Sequence, residues 1–182
     1  MSGFFSRVAR AAWLEPELYE EIEADHGATT QALLVVLLSA LASAVGALGE
    51  VRPPGGLGGA GVIPVFVVAV VAALLAWLVE ALVAFGVGAW ILPERQTEAD
   101  AGQLLRAVGF SSAPGLLRVF GAIPLLGPAV FILTGLWMLV AMVVAVRQTL
   151  DYTSTWRALA VAVVAWGAYL ALTLVLVGFP RA

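Results

Sequence analysis

The chain has 182 residues, of which 62% are hydrophobic and 12% charged, with a formal net charge of −3. Soluble domains run to about half apolar and a quarter charged, so this composition excludes an ordinary soluble fold. There is no cysteine, no lysine and one histidine, His26, which excludes disulfides, thiol nucleophiles, thiolate metal sites and Schiff-base chemistry.

In chain order, Phe4, Phe5, Val8 and Ala12 follow helical spacing, with Arg7 and Arg10 among them. The pattern predicts an amphipathic helix on the membrane surface, its arginines near lipid phosphates. It lacks the continuous apolar core of a secretory signal, so it is expected to stay on the mature protein. Pro16 breaks the helix, and Glu15, Glu17, Glu20, Glu21, Glu23 and Asp25 make the segment 15–26 an acidic, solvated connector. Residues 1–28 thus read as a cytoplasmic N-terminal segment and 29–182 as one membrane domain.

Five long apolar stretches fill that domain: 29–49, 63–92, 104–126, 127–150 and 154–179. A bilayer-crossing helix needs about 20 apolar residues. The expected fold is an all-α, five-helix transmembrane bundle with an N-terminal interfacial amphipathic helix and a kinked third span. In the first stretch, Ser39, Ser43 and Ala47, with Ala42 and Gly46, repeat at four-residue spacing. Such small faces let helix backbones approach closely in lipid. The Pro/Gly loop 50–63 contains Gly56-Leu57-Gly58-Gly59-Ala60-Gly61, a literal dinucleotide-binding pattern. Pro53-Pro54 precede it and a membrane stretch comes after it, so it is a decoy.

Gly109, Pro114, Gly115 and Gly121 interrupt the third stretch. Lipid offers no partner for backbone groups freed at a proline, so other helices must shield the break. One kinked span is expected; an interfacial helix followed by a re-entrant segment is the alternative. Arg147 and Gln148 end the fourth stretch, and Thr153 or Ser154 is placed to cap the fifth.

Arginine placement sets orientation. With the N-terminus inside, Arg7, Arg10, Arg95, Arg106, Arg147 and Arg157 fall on the cytoplasmic side, against Arg52 and Arg181 outside. The expected topology is multi-pass in the inner (plasma) membrane, N-terminus cytoplasmic and C-terminus outside.

Several short segments carry a family signature. Pro16-Glu17-Leu18-Tyr19-Glu20-Glu21-Ile22 precedes the first span. Gly109-Phe110-Ser111-Ser112-Ala113-Pro114 follows the second loop, Ile123-Pro124 comes after it, and Ser154-Thr155-Trp156-Arg157-Ala158-Leu159 opens the last helix. In order and spacing the chain resembles bacterial members of the Yip (Ypt-interacting protein) domain family from about Phe4 onward. The resemblance implies five spans with a cytoplasmic N-terminus. The tyrosine-glycine-proline segment of eukaryotic relatives, which engage small GTPases, is missing, so that role does not carry over.

Glu80 lies deep in the second stretch, where a charge costs several kcal/mol. It must face the bundle, be paired or be protonated. Arg118 is the natural partner, since ideal-helix depths of about 18 and 22 Å above the cytoplasmic ends nearly match. The pair reads either as a helix lock or as a transport or lipid-phosphate site. Arg7, Arg10, Arg106, Arg147 and Arg157 are candidates for lipid headgroup contact. Gly109, Phe110, Ser111 and Pro114 form the helix-break motif, with the serines expected to satisfy freed backbone groups. No span holds a histidine or a second carboxylate for protease chemistry, and no cluster has metal-ligand spacing. No enzyme activity, cofactor or nucleic-acid partner is expected. Two functions stay open: a structural or adaptor bundle that binds membrane partners, itself or lipid, and a small transporter or lipid-handling protein centred on Glu80 and Arg118.

Overall fold

The structure is a computed structural model that describes residues 3–48 and 62–177. The glycine-rich decoy and Arg52 in the first loop, and Arg181 at the C-terminus, lie outside the described residues. All regular structure among the described residues is helical: α1 (Phe4–Ala12), α2 (Pro16–Ala24), α3 (Ala28–Ala47), α4 (Val62–Phe85), α5 (Ala101–Ser111), α6 (Gly127–Thr149) and α7 (Thr155–Val177). A π-helical turn, Gly86–Ile91, extends α4, and a 3-10 segment, Ala113–Ala122, extends α5. Among the described residues, four helices are long and apolar enough to cross a membrane: Ala28–Ala47, Phe66–Ile91, Gly127–Thr149 and Thr155–Leu176.

The third apolar stretch is not one kinked helix. Ser112 and Pro114 end α5, and the backbone continues with the tighter winding of the 3-10 segment. The break is sealed by close contacts along α3. A Cβ on Gly109 would stand 2.7 Å from the Ala32 Cβ, one on Gly115 2.0 Å from the Ser39 Oγ, and one on Gly121 3.4 Å from the Gly46 Cα. Residues 109 to 121 therefore climb beside residues 32 to 46 of α3, a rise of about 21 Å. The small face of the first span meets this irregular segment of its own chain. Ser111 donates to the Val108 carbonyl at 2.8 Å, and Phe110 is fully buried. The start of α5 carries a capping box: Asp100 accepts from the Gly102 and Gln103 N–H groups, and Gln103 accepts from the Asp100 N–H.

The acidic connector is a helix and part of the core. Leu18, Tyr19 and Ile22 of α2 are fully buried in one cluster with Leu104 and Val108 of α5 and Met142 and Val146 of α6. Helices α1 and α2 are thus continuous in packing with the rest of the bundle. Helix α1 turns back on α2 through Leu14, whose φ of 63° lies in the left-handed region. Its buried face holds Arg7 and Ala11, while Phe5 stays 82% exposed. The Trp137 indole N–H donates to the Ala12 carbonyl at 2.9 Å, anchoring α1 to the middle of α6.

At the end where α4 meets α7, Glu94 ties two loops together. Its carboxylate accepts from the Thr153 hydroxyl at 2.7 Å, the Thr153 N–H at 3.0 Å and the Ser154 N–H at 3.2 Å. Ser154 caps α7, accepting from the Arg157 N–H at 3.4 Å. The Tyr152 hydroxyl sits 2.8 Å from both the Gly88 and Leu92 carbonyls, which the π-turn leaves open to it.

These carboxyls give stability a defined pH dependence. Hydrogen bonds from the Thr153 hydroxyl and N–H hold Glu94 down at about 2. Glu23 is pushed up to about 7 by burial, then by the nearby Asp151 and Glu20 carboxylates, with Arg106 opposing. The depressed Glu94 contributes stability above its unfolded value near 4.5, lost as pH falls toward 2. The raised Glu23 favours the protonated fold, so stability declines as pH rises from about 4.5 to 7. Glu23→Gln should remove that decline and stabilise the protein by about 1–2 kcal/mol at pH 8. Thermal unfolding in detergent at pH 5 and pH 8 reads it, and an unchanged gap between the two would refute the assignment.

Candidate functional site

The helix faces leave a cavity of about 610 Å³ between α3, α4, the 3-10 segment, α6 and α7. Its wall is mostly small and apolar because α3 and α4 present Val36, Ala40, Ala44, Ala69, Ala72 and Ala73 to it. It runs along α4 from Pro64 to Glu80, about 24 Å at 1.5 Å per residue. Glu80 and Arg118 both line it.

The two charges share the cavity but do not pair. Among the described residues, ion pairs involve Arg7, Arg10 and Arg157, and none includes Glu80 or Arg118. The reason lies in register. The Trp77 indole bonds the Leu105 carbonyl, which sets Glu80 on α4 beside α5. Arg118 comes 13 residues after Leu105, about 20 Å further along the axis, and stands level with Ser43 and Thr134. Its Nε donates to the Thr134 hydroxyl at 3.2 Å and its Nη1 to the Ser43 hydroxyl at 3.5 Å. The guanidinium also lies 5.5 Å from the centre of the Phe131 ring, a cation–π arrangement.

Glu80 sits one helical turn beyond Trp77, whose indole N–H donates to the Leu105 carbonyl at 3.0 Å. It is 8% exposed and makes no hydrogen bond or ion pair among the described residues. With no shared bond or partner, the pair should be energetically independent. The effects of Glu80→Gln and Arg118→Leu on unfolding free energy should add within about 0.5 kcal/mol. A coupling well above that in a double-mutant cycle would mean that the two groups meet.

The arginine candidates are largely engaged by protein. Arg7 is buried, with Nη2 2.8 Å from Glu21, Nη1 2.8 Å from Asp25 and a further bond to Gln31. Its guanidinium holds the Asp25 carboxyl below the usual range. Arg10 pairs with Glu15 and Glu21, each at 2.7 Å. Arg106 is 4% exposed and donates to the Ile22 carbonyl at 3.0 Å and to the Glu23 carbonyl. Headgroup contact is therefore corrected for Arg7 and Arg106, whose donors point into the protein because the acidic α2 packs against them. Arg147 and Arg157 are exposed, bonded to the Tyr152 and Pro93 carbonyls at 3.3 and 2.9 Å.

Sequence reasoning missed the cavity and the role of α2. The run Leu18-Tyr19-x-x-Ile22 carried the signal for α2: three apolar residues at helical spacing within an acidic segment. The Asp100-x-x-Gln103 capping box was equally legible. The cavity had no local signal, since alanines that line a void read like alanines that pack.

Long apolar helices, a shielded helix break and an intramembrane cavity define a multi-pass helical membrane protein. The Yip1 domain model matches residues 11–177, and the chain belongs to that family. No curated protein and no solved structure matches it.

Proposed function

We propose that this Yip1-domain protein is a five-span, lipid-handling bundle that holds an amphiphile in the cavity between α3, α4 and the broken third segment. The supporting observation is the cavity itself: apolar along its length, with Arg118 toward one end and Glu80 at the other. The reading requires no covalent chemistry. The exposed Arg147 and Arg157 add a basic rim for anionic headgroups on the cytoplasmic side. Lipid extracted from the delipidated, purified protein tests the reading. Ala72→Phe, which fills the wall at a residue 4% exposed, should abolish retention.

The fifth crossing in this proposal is α5 with its 3-10 extension, which rises alongside α3, and the N-terminus is cytoplasmic. The chain has no cysteine, so single cysteines report sidedness cleanly. Glu98→Cys and Leu125→Cys should label from opposite sides of the membrane. Labelling from the same side would make the third segment re-entrant and leave four crossings.

A further inference from the structure

We infer that Arg118 is the headgroup site of this cavity and binds the phosphate of a net-anionic phospholipid, one acyl chain of which runs between α3 and α4 toward Trp77. The inference rests on the lipid-handling reading and names the ligand class for that same site.

Charge is the first argument. The Arg118 guanidinium has neutral hydroxyls for partners and no carboxylate among the described residues. Both hydroxyls already give their hydrogens away, Ser43 to the Ser39 carbonyl at 2.8 Å and Thr134 to the Val130 carbonyl at 2.7 Å. They can only accept, so they orient the guanidinium without neutralising it.

Valence is the second argument. A guanidinium carries five N–H donors in a planar fork. Two are used here, on Nε and Nη1, and three find no protein acceptor among the described residues. That leaves a free edge suited to two oxygens of one phosphate.

Space is the third argument. Nη2 lies 3.7 Å from where a Cβ on Gly135 would stand. Helix α6 has no side chain at that point, and Arg118 itself lines the cavity.

Depth and polarity fit a lipid. Ser43 is four residues from the end of α3 at Ala47, about 6 Å along the axis and near the membrane interface. From Ser43 the lining continues through Ala40 and Val36 to Trp77. The distance suits a chain filling one leaflet, about 15 Å deep. Arg118 is the cation in the lining among the described residues, so the ligand enters with its phosphate at Arg118 and its tail toward Trp77.

The test uses the full chain, delipidated and then equilibrated with vesicles of phosphatidylglycerol, phosphatidylcholine or either plus palmitate, with retained lipid read by native mass spectrometry. The wild type should retain phosphatidylglycerol about tenfold over phosphatidylcholine. Arg118→Gln should level the two. Gly135→Val should do the same by closing the free edge while keeping the charge, which covers the case in which Arg118→Gln does not fold. Ala72→Phe should retain neither lipid. A preference that survives in both Arg118→Gln and Gly135→Val overturns the headgroup assignment and leaves lipid handling standing. Equal retention of both lipids by the wild type, or replacement of phospholipid by palmitate, overturns the assignment too. No retention by the wild type defeats the underlying reading itself.

Discussion

Gly46→Leu is expected to destabilise the protein by about 3 kcal/mol or more, at the upper end of overpacking costs. A Cβ at this position would stand 2.0 Å from the Arg118 carbonyl oxygen and 3.0 Å from its carbonyl carbon. Backbone, unlike a side-chain tip, cannot rotate away, so α3 and the 3-10 segment must separate. Even Gly46→Ala meets this clash. Gly167 in α7 has nothing within 4 Å of its would-be Cβ. Gly167→Ala should therefore be neutral or stabilising by up to about 1 kcal/mol through helix propensity alone. Thermal unfolding in detergent separates the two. Equal melting temperatures for Gly46→Ala and Gly167→Ala would show that the close approach of α3 to the third segment does not exist. Because the same contact sets the position of Arg118, Gly46→Leu should also reduce lipid retention.

Arg106→Leu is expected to cost about 3 kcal/mol and to release α2. The Arg106 side chain donates to the carbonyls of Ile22 and Glu23, in the last turn of α2. Carbonyls at a helix C-terminus have no intrahelical donor, and they carry partial negative charge that a cation complements. Removing the guanidinium takes a donor from each carbonyl and leaves Ile22 only the Asp25 N–H at 3.3 Å, and a buried carbonyl that loses its donor costs about 1–3 kcal/mol. It also removes the cation that opposes the raised Glu23. Amide exchange across residues 16–24 should rise sharply while α6 stays protected. Unchanged exchange in α2 would mean that Leu18, Tyr19 and Ile22 hold it by packing alone. Arg106→Lys should restore part of the protection, since one ammonium supplies a charge but not the fork that spans two carbonyls.

The chain itself determined how much of it is membrane, because apolar run length is a local property that composition displays directly. Four of the five apolar stretches contain helices long and apolar enough to cross a bilayer. Helix α5 ends at Ser111, within the Gly109–Pro114 segment, since proline and glycine act on the backbone at their own positions. Family membership was legible for the same reason: order and spacing are one-dimensional.

Partners were not legible, because they depend on which faces meet. Arg106 finds the Ile22 carbonyl 84 residues away, and Trp137 finds the Ala12 carbonyl 125 residues away. An arginine near a membrane edge reads as a headgroup ligand until packing brings a helix end to it. The Glu80–Arg118 pairing failed on register: the Trp77 indole docks on the Leu105 carbonyl and sets Glu80 beside α5, about 20 Å along the axis from Arg118. Local backbone and hydropathy were thus decided by the sequence. Tertiary structure alone decided which buried charges meet, which carbonyls they satisfy and where the bundle leaves room for a lipid.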